Sequence, residues 1–270
     1  MSVNSLLYNL IAIPALSLAV TIIKPFNRKL RERESKWEDI LSDFKTKKVS
    51  EKKYRIWFHS ASMGEFEQAK PIIEKLKKQN PELFIIVSFY SPSGYNNQKN
   101  YQFADAVLYM PFDSRSNAKY FINIIKPDLA VFIRYEIWRN HLDILHKNKI
   151  PVLLICATKP NIKYLYECFF LRPFTKSNYS FFKIIYTVSD EHTAFFKELK
   201  IDSEIKTLSD TRFDRIIENV EKICKMSFFP LHYLIRTNSY WWQEVPGKRT
   251  KILSWKRKSK SYRKIWQISD

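Results

Sequence analysis

Residues 54–78 restrict the possible folds of this chain more than any other stretch, because a strand, a tight turn and a helix follow one another there. Residues 56–59 form an apolar, aromatic run that is short enough for a buried strand. After the turn, apolar residues recur at the spacing of an amphipathic helix, namely Phe66, Ala69, Ile72, Ile73 and Leu76. Such a turn lies at the carboxyl edge of a parallel sheet, where open α/β folds bind ligands. Its carboxylate, Glu65, is therefore the first candidate functional residue.

The same alternation of short apolar runs and helical segments continues along the chain. Further strands are predicted at 83–89, 106–109, 128–133, 152–156 and 184–188, and further helices at 94–103, 116–125, 141–148, 164–182 and 191–199. Strands and helices that alternate at this spacing predict a doubly wound, mainly parallel α/β sheet. A second carboxylate, Glu136, follows the 128–133 strand, so we expect it at the same edge of the sheet as Glu65.

Glycine, cysteine and histidine usage excludes several kinds of site. The chain has only three glycines, too few for a G-x-G-x-x-G or Walker phosphate loop, so nucleotide binding of those two kinds is excluded. The three cysteines are far apart, which argues against a disulfide framework and a structural zinc site and favours a reducing compartment. His141 and His146 lie one residue off the four-apart spacing of paired metal ligands. We expect no metal.

The first 23 residues are predicted to be a membrane anchor. Residues 6–23 are uncharged and would span roughly 27 Å as a helix, close to the ~30 Å core of a bilayer. Basic residues follow at once, and by the positive-inside rule they keep the rest of the chain in the cytoplasm: Lys24, Arg28, Lys29, Arg31 and Arg33. Asn9 and Pro14 weaken a spanning helix, which leaves open a helix lying in the interface. A buried core helix is the third alternative.

Residues 24–50 are charged and show no sustained apolar stripe, so we predict a basic linker or helix on the membrane surface. Residues 51–222 then form the predicted α/β domain. The net charge of +19 also suggests a nucleic-acid-binding protein. However, residues 223–270 contain 11 Lys/Arg and 2 Asp/Glu, so +9 of the +19 belongs to them, and no known nucleic-acid motif is present. Anionic lipid headgroups are the better partner for the remaining charge.

Five short motifs occur in order along the chain: HSASMGE at 59–65, SPSG at 91–94, MPFD at 110–113, YEIWRN at 135–140 and DTRFD at 210–214. Together they resemble the 3-deoxy-D-manno-octulosonic acid (Kdo) transferases, membrane-bound enzymes that add Kdo to lipid A precursors in Gram-negative bacteria. The resemblance covers about residues 4–222. It implies a GT-B glycosyltransferase fold, in which an anchor and an N-terminal Rossmann-like domain meet the lipid acceptor and a C-terminal Rossmann-like domain binds CMP-Kdo.

The resemblance also implies roles for particular residues. Glu65 matches the general base that deprotonates the attacking sugar hydroxyl, and Glu136 and Arg212 match positions that stabilise the transition state. The acceptor-binding residues it implies are Ser62, Gly64, Ser93 and Gly94. It implies no cofactor and no metal, and it places the protein on the cytoplasmic face of the inner membrane.

Structural alternatives exist for all three predicted catalytic residues. Glu65 could simply begin a helix, where carboxylates are favoured. Glu136 could pair with a neighbouring arginine, and Arg212 could be a solvated loop residue.

After about residue 222 both the β/α alternation and the resemblance stop. Residues 240–251 read YWWQEVPGKRTK. If the reading frame of this stretch is shifted so that each new codon begins at the third base of the present one, the DNA can encode Leu-Val-Ala-Gly-Ser-Thr-Trp-Gln-Lys-Asp-Glu. This contains the Gly-Ser-Thr-Trp signature that opens the nucleotide domain of the family. We therefore predict that residues 223–270 are an out-of-frame tail, that the frame changes near Cys224, and that the donor domain is missing. The 270-residue chain would then be inactive, and a non-catalytic lipid-binding module is the alternative function.

Overall fold

A sheet of seven parallel strands forms the centre of residues 1–221, the first of two compact units in the chain. The computed structural model describes residues 3–46, 54–134, 136–160 and 172–208, with side chains from residue 5, and the backbone of 241–245 and 248–253. The strands are β1 (Arg55–Ser60), β2 (Phe84–Phe89), β3 (Ala106–Tyr109), β4 (Leu129–Ile133), β5 (Val152–Ala157), β6 (Ile184–Thr187) and β7 (Glu204–Thr207). The predicted doubly wound, Rossmann-like sheet is confirmed.

The strand order in the sheet is β3-β2-β1-β4-β5-β6-β7. Strand β1 is therefore central, and the chain reverses direction across the sheet between β1 and β4, which pair in parallel with His59 opposite Phe132. Open α/β sheets bind ligands in the crevice beyond the carboxyl ends of the strands at such a switch point. Every residue of β1 is buried, as expected for a strand covered on both faces.

Helices connect the strands. They are α1 (Val3–Leu7), α2 (Ile13–Ile23), α3 (Arg28–Thr46), α4 (Met63–Gln79), α5 (Pro92–Gln98), α6 (Arg115–Ile125), α7 (Arg139–Lys147), α8 (Arg172–Tyr179) and α9 (Asp190–Glu198). Most agree with the predicted segments within a few residues. Helix α5 is shorter and begins earlier than predicted, because Ser91 accepts a hydrogen bond from the backbone N–H of Gly94 and so caps a helix that starts at Pro92.

The prediction that residues 24–50 lack an apolar stripe was wrong. Helix α3 buries Trp37, Leu41 and Phe44, spaced four and three residues apart, in the same core cluster as the sheet. Each such buried side chain contributes about 1.5–3 kcal/mol relative to its exposed state. Each turn of the helix contributes only one buried apolar residue, and charged residues surround it, so the helical spacing is hard to recognise in the sequence. Of the two predicted alternatives, linker or helix, residues 28–46 form the helix, and it packs against the domain.

The N-terminal helical segment is continuous from α1 through a π-helical turn, Tyr8–Ala12, to α2. Within the described residues, Ser5–Phe26 is the one helix long and apolar enough to cross a membrane, by length and composition. Its large apolar side chains are exposed, among them Leu10, Ile11, Leu18 and Phe26. Tyr8 and Asn9 are half-buried instead, because they contact the globular part of the unit.

The second unit covers residues 222–270. Its described backbone is an antiparallel hairpin, in which Trp241–Val245 pairs with Lys248–Leu253. The predicted out-of-frame tail therefore falls mostly outside the described residues. The same holds for residues 164–171, the first part of the predicted 164–182 helix.

Candidate active site at the switch point of the sheet

The two predicted catalytic glutamates flank the switch point of the sheet. Glu65 follows β1 in the first turn of α4, and Glu136 follows β4. Both lie at the carboxyl edge, as predicted. The structure brings them close enough for the charge of Glu136 to act on Glu65. The third predicted residue, Arg212, lies outside the described residues.

Glu65 is held by the start of its own helix. Ser62 is the residue that precedes the first turn of α4, and its backbone N–H donates a 3.0 Å hydrogen bond to Glu65 Oε2. A glutamate three residues into a helix commonly makes this contact, which satisfies an otherwise unpaired N–H group. This contact supports the alternative that Glu65 simply begins a helix. It is compatible with a catalytic role as well, because the other carboxylate oxygen has no part in this bond.

The electrostatic setting of Glu65 separates it from an ordinary helix-start carboxylate. Only 5% of the surface of Glu65 is exposed to solvent. Burial raises the pKa of Glu65, the charge of Glu136 raises it further, and backbone N–H bonds and His59 act in the opposite direction. A carboxyl group with a raised pKa at a ligand-binding edge is suited to taking a proton near neutral pH.

Glu136 lies in the loop that leaves β4. The chain turns sharply there, with Arg134 in the left-handed region at φ 66°. Such a conformation costs a non-glycine residue on the order of 1–3 kcal/mol and is common at functional sites. The indole N–H of Trp138 donates a 2.7 Å hydrogen bond to Glu136 Oε2, and the same oxygen lies 3.8 Å from His59 Nε2.

His59 was not identified as a site residue from the sequence. It is fully buried on β1, and its ring meets the ring of Trp138 edge-on at 5.3 Å. Its Nδ1 is 2.9 Å from Ser88 Oγ on β2, and Ser88 in turn accepts a 2.8 Å hydrogen bond from the indole N–H of Trp57. A histidine directly after three apolar strand residues, one residue from the carboxyl end of β1, was the signal that could have found it.

The four predicted acceptor-binding residues divide into two pairs at this edge. Ser62 and Gly64 lie at the start of α4, where Gly64 is exposed and a Cβ added to it would meet no atom within 4 Å. Ser93 and Gly94 lie at the start of α5, where Ser93 is exposed and Gly94 is buried against Phe89. A 3.0 Å bond from Ser91 N–H to the Ala61 carbonyl joins the two loops. Their roles in acceptor binding stay predictions.

Asp113, in the fourth position of the MPFD motif, ties the N-terminal helix to the loop that carries Glu136. Its carboxylate accepts hydrogen bonds from Tyr8 Oη at 2.9 Å and from His141 Nδ1 at 2.7 Å. It also accepts the backbone N–H groups of Asn140 and His141 in the first turn of α7. Asp113 thus caps a helix that begins three residues after Glu136.

In the part of the chain that the structure describes, no group of three or more His, Cys, Asp or Glu side chains is arranged to hold a metal ion.

Comparison with known proteins decides the family. The profile described as 3-deoxy-D-manno-octulosonic-acid transferase (kdotransferase), for the N-terminal glycosyltransferase domain, matches residues 28–215. The chain belongs to this family. The match confirms the resemblance carried by the five motifs, and it includes helix α3, the whole seven-stranded sheet and the segment that contains Arg212.

Several similar curated proteins carry the same description. The 3-deoxy-D-manno-octulosonic acid transferase of Haemophilus influenzae is 32% identical over 104 residues, which is 38% of this chain and 24% of the relative. That of Chlamydophila psittaci is 24% identical over 164 residues, 57% of this chain and 38% of the relative. The chain therefore spans about a quarter to two fifths of the relatives it matches. A solved UDP-GlcNAc 2-epimerase from Neisseria meningitidis matches with a TM-score of 0.42 and 17% identity, over 65% of this chain and 50% of that chain.

Proposed function

We propose that this chain carries the acceptor side of an enzyme that transfers Kdo from CMP-Kdo to a lipid A precursor in lipopolysaccharide biosynthesis. Membership of the family supports a glycosyltransferase role. The observation that carries the finer proposal is the pair of carboxylates at the switch point of the sheet, the buried Glu65 and the half-buried Glu136. That crevice is where an α/β sheet presents a bound ligand to its catalytic groups.

In the proposed reaction an acceptor hydroxyl attacks the anomeric carbon of Kdo and CMP leaves, with inversion. Glu65 accepts the hydroxyl proton as general base, for which its raised pKa is suited. Glu136 stabilises the positive charge that develops on the sugar. Arg212, which matches a family position that stabilises the transition state, acts on the negative charge of the departing CMP. CMP carries a single phosphate, so its departure requires no bridging metal, and the proposal includes no cofactor.

The N-terminal segment supports a location on the cytoplasmic face of the inner membrane. Its apolar helix ends beside a surface cavity of about 560 Å³ lined by four cations and one carboxylate, together with a serine: Lys24, Arg28, Arg31, Lys36, Glu32 and Ser35. Cations immediately after an apolar helix favour contact with anionic headgroups on the cytoplasmic side. The bonds of Tyr8 and Asn9 to Asp113 and Asn140 hold this helix against the domain that carries the glutamates.

We further propose that the matched residues 28–215 alone do not complete the transfer. The described sheet supplies one wall of the crevice, and the family relatives extend well beyond the length matched here. Without donor-side groups the two substrates are not held together, and such positioning can supply ~7–11 kcal/mol of a barrier. Residues 28–215 by themselves would then act as a non-catalytic module that binds the lipid acceptor.

Binding of the acceptor by the 270-residue chain tests this proposal. The probe is a diphosphorylated, acylated glucosamine disaccharide in detergent micelles, with binding followed by fluorescence anisotropy. We expect binding that Gly64→Trp abolishes, because Gly64 is exposed at the crevice with open space for a side chain. The matched control is Asn123→Trp, an exposed residue of α6 near the opposite edge of the sheet. Equal binding by both variants, or none by the unmodified chain, contradicts the proposal.

A further inference from the structure

Most polar side chains in the core of the sheet have hydrogen-bond partners, but one nitrogen of His59 does not. The ring is fully buried, and its Nε2 is without a hydrogen-bond partner in the described structure. Glu136 Oε2 lies 3.8 Å from this nitrogen. This distance is too long for a hydrogen bond but suits an electrostatic contact. A buried polar nitrogen left in this state requires an explanation.

The partners of the other ring nitrogen determine where the proton of His59 lies. Trp57 Nε1 can only donate, so the 2.8 Å contact makes Ser88 Oγ its acceptor. Ser88 then still has its own hydroxyl proton to place, and among the described residues the group in reach is His59 Nδ1, at 2.9 Å. If Ser88 donates to Nδ1, this nitrogen is unprotonated. The neutral ring must then carry its proton on Nε2, which faces Glu136.

We propose that His59 is a positioning residue that carries its proton on Nε2 and directs it at Glu136, and that the Trp57–Ser88 pair fixes this tautomer. The proposal deepens the proposed function, on which its catalytic consequence rests. Two neighbouring rings hold the imidazole edge-on, Trp138 at 5.3 Å and Phe132 at 5.4 Å. The ring is therefore unable to turn away from the glutamate without disturbing the core.

The consequence concerns both glutamates. A donor at Nε2 and the indole N–H of Trp138 both act on Glu136 Oε2, so they hold this carboxylate in place. Glu136 in turn acts electrostatically on Glu65, the other carboxylate near this ring. Contacts of catalytic groups are often long without substrate and tighten in the complex. We expect the Nε2 to Oε2 distance to shorten when the crevice is occupied.

The tautomer can be measured without any enzymatic activity. The 270-residue chain, labelled with ¹⁵N-histidine and held in detergent micelles, gives two-bond ¹H–¹⁵N spectra that distinguish protonated from bare ring nitrogens. The chain has five histidines, and His59→Gln identifies the signals of His59 by their loss. We expect the Nε2–H form in the unmodified chain. An Nδ1–H form overturns the proposal, and this result requires no further variant.

Two serine variants test the relay. Ser88→Ala removes the donor to Nδ1, so we expect the Nδ1–H form of His59 to become populated. Ser60→Ala is the matched control, because Ser60 is a buried β1 residue whose hydroxyl has no hydrogen-bond partner in the described structure. We expect it to leave the tautomer unchanged. An unchanged tautomer in a folded Ser88→Ala protein, checked by circular dichroism, contradicts the role assigned to Ser88.

The catalytic consequence is tested in a protein that transfers Kdo. His59→Leu should lower kcat roughly 10- to 100-fold, the worth of a hydrogen bond to a charged group. His59→Gln, whose amide N–H can take the place of Nε2, should restore part of this loss. If both variants act alike, the positioning role is wrong. If no protein transfers Kdo, the proposed function fails while the tautomer result stands.

Discussion

Replacing Gly94 and Gly64 by alanine should have opposite effects on stability, although both are predicted acceptor-binding glycines at helix starts. A Cβ on Gly94 would lie 2.5 Å from Cδ1 of the Phe89 ring and 3.0 Å from its Cγ. Phe89 is fully buried, and its ring meets that of Phe66 edge-on at 5.0 Å. The ring therefore has little room to move. A Cβ on Gly64 meets nothing within 4 Å.

Two opposing effects set the magnitude for Gly94→Ala. Overpacking in a well-filled core costs about 1–3 kcal/mol, whereas alanine in place of glycine in a helix gains about 0.5–1 kcal/mol. The clash is the larger effect, so we expect a net loss of about 0.5–2 kcal/mol. Gly64→Ala causes no clash, so we expect it only to gain stability, by up to about 1 kcal/mol. In a domain of this size 1 kcal/mol corresponds to roughly 2–4 °C in Tm.

Thermal unfolding of the 270-residue chain in detergent, followed by circular dichroism, measures both changes. We expect the Tm of Gly94→Ala to fall by about 1–8 °C and that of Gly64→Ala to rise by about 1–4 °C. A Gly94→Ala protein as stable as the unmodified chain would show that Phe89 yields, and the packing argument would then be wrong. A large loss in Gly64→Ala would show that the open space at α4 is filled in the folded protein.

Three further predictions concern the anchor, the Asp113 contacts and the charge of Glu65. Deleting residues 1–23 should release the protein from membranes into the soluble fraction; full solubility of the intact chain in low salt would contradict the anchor. Asp113→Leu leaves the donors of Tyr8, Asn140 and His141 without their acceptor, so urea unfolding should show a loss of about 3 kcal/mol or more, against about 0.5–1.5 kcal/mol for Tyr8→Phe. Equal losses would refute this explanation. Because the pKa of Glu65 is raised in the folded state, its stabilising contribution is complete below the unfolded pKa of about 4.3 and is lost as pH rises through the folded pKa. Glu65→Gln should therefore gain stability relative to the unmodified chain between pH 4 and pH 8, as urea midpoints at the two pH values would show; an opposite trend would mean that the pKa is lowered.

Much of the fold could be predicted from the sequence, because buried parallel strands appear there as short runs of apolar residues. The runs that became β1, β2 and β5 have apolar residues on both faces of the sheet. Strand β7 was missed, because Glu204–Thr207 has a single apolar residue, Ile205, and lies at the half-exposed edge of the sheet. Such a short edge strand is defined by its pairing with β6 rather than by its composition.

The site could be predicted in part. Glu65 and Glu136 follow predicted strands, and parallel strands place such residues at a common edge, which the structure confirms. The role proposed for His59 could not be predicted in this way, because it depends on contacts with Ser88, 29 residues away on β2, and with Glu136, beyond β4. Only the register of β1 against its two neighbours brings these groups together.

The most direct test is transfer of labelled Kdo from CMP-Kdo to a lipid A precursor by the product of a gene in which the frame change predicted near codon 224 has been reversed; we call this the restored frame. The two variants to compare are Glu65→Gln, whose amide oxygen keeps the bond to Ser62 N–H but cannot take the proton, and Glu67→Gln, an exposed carboxylate on the same helix. We predict that the restored frame encodes Gly-Ser-Thr-Trp, that its product transfers Kdo, and that Glu65→Gln lowers kcat by ~10²–10⁴-fold, the usual worth of a general base. Glu67→Gln should retain full activity. Normal transfer by Glu65→Gln, or a restored frame without that signature, would contradict this account.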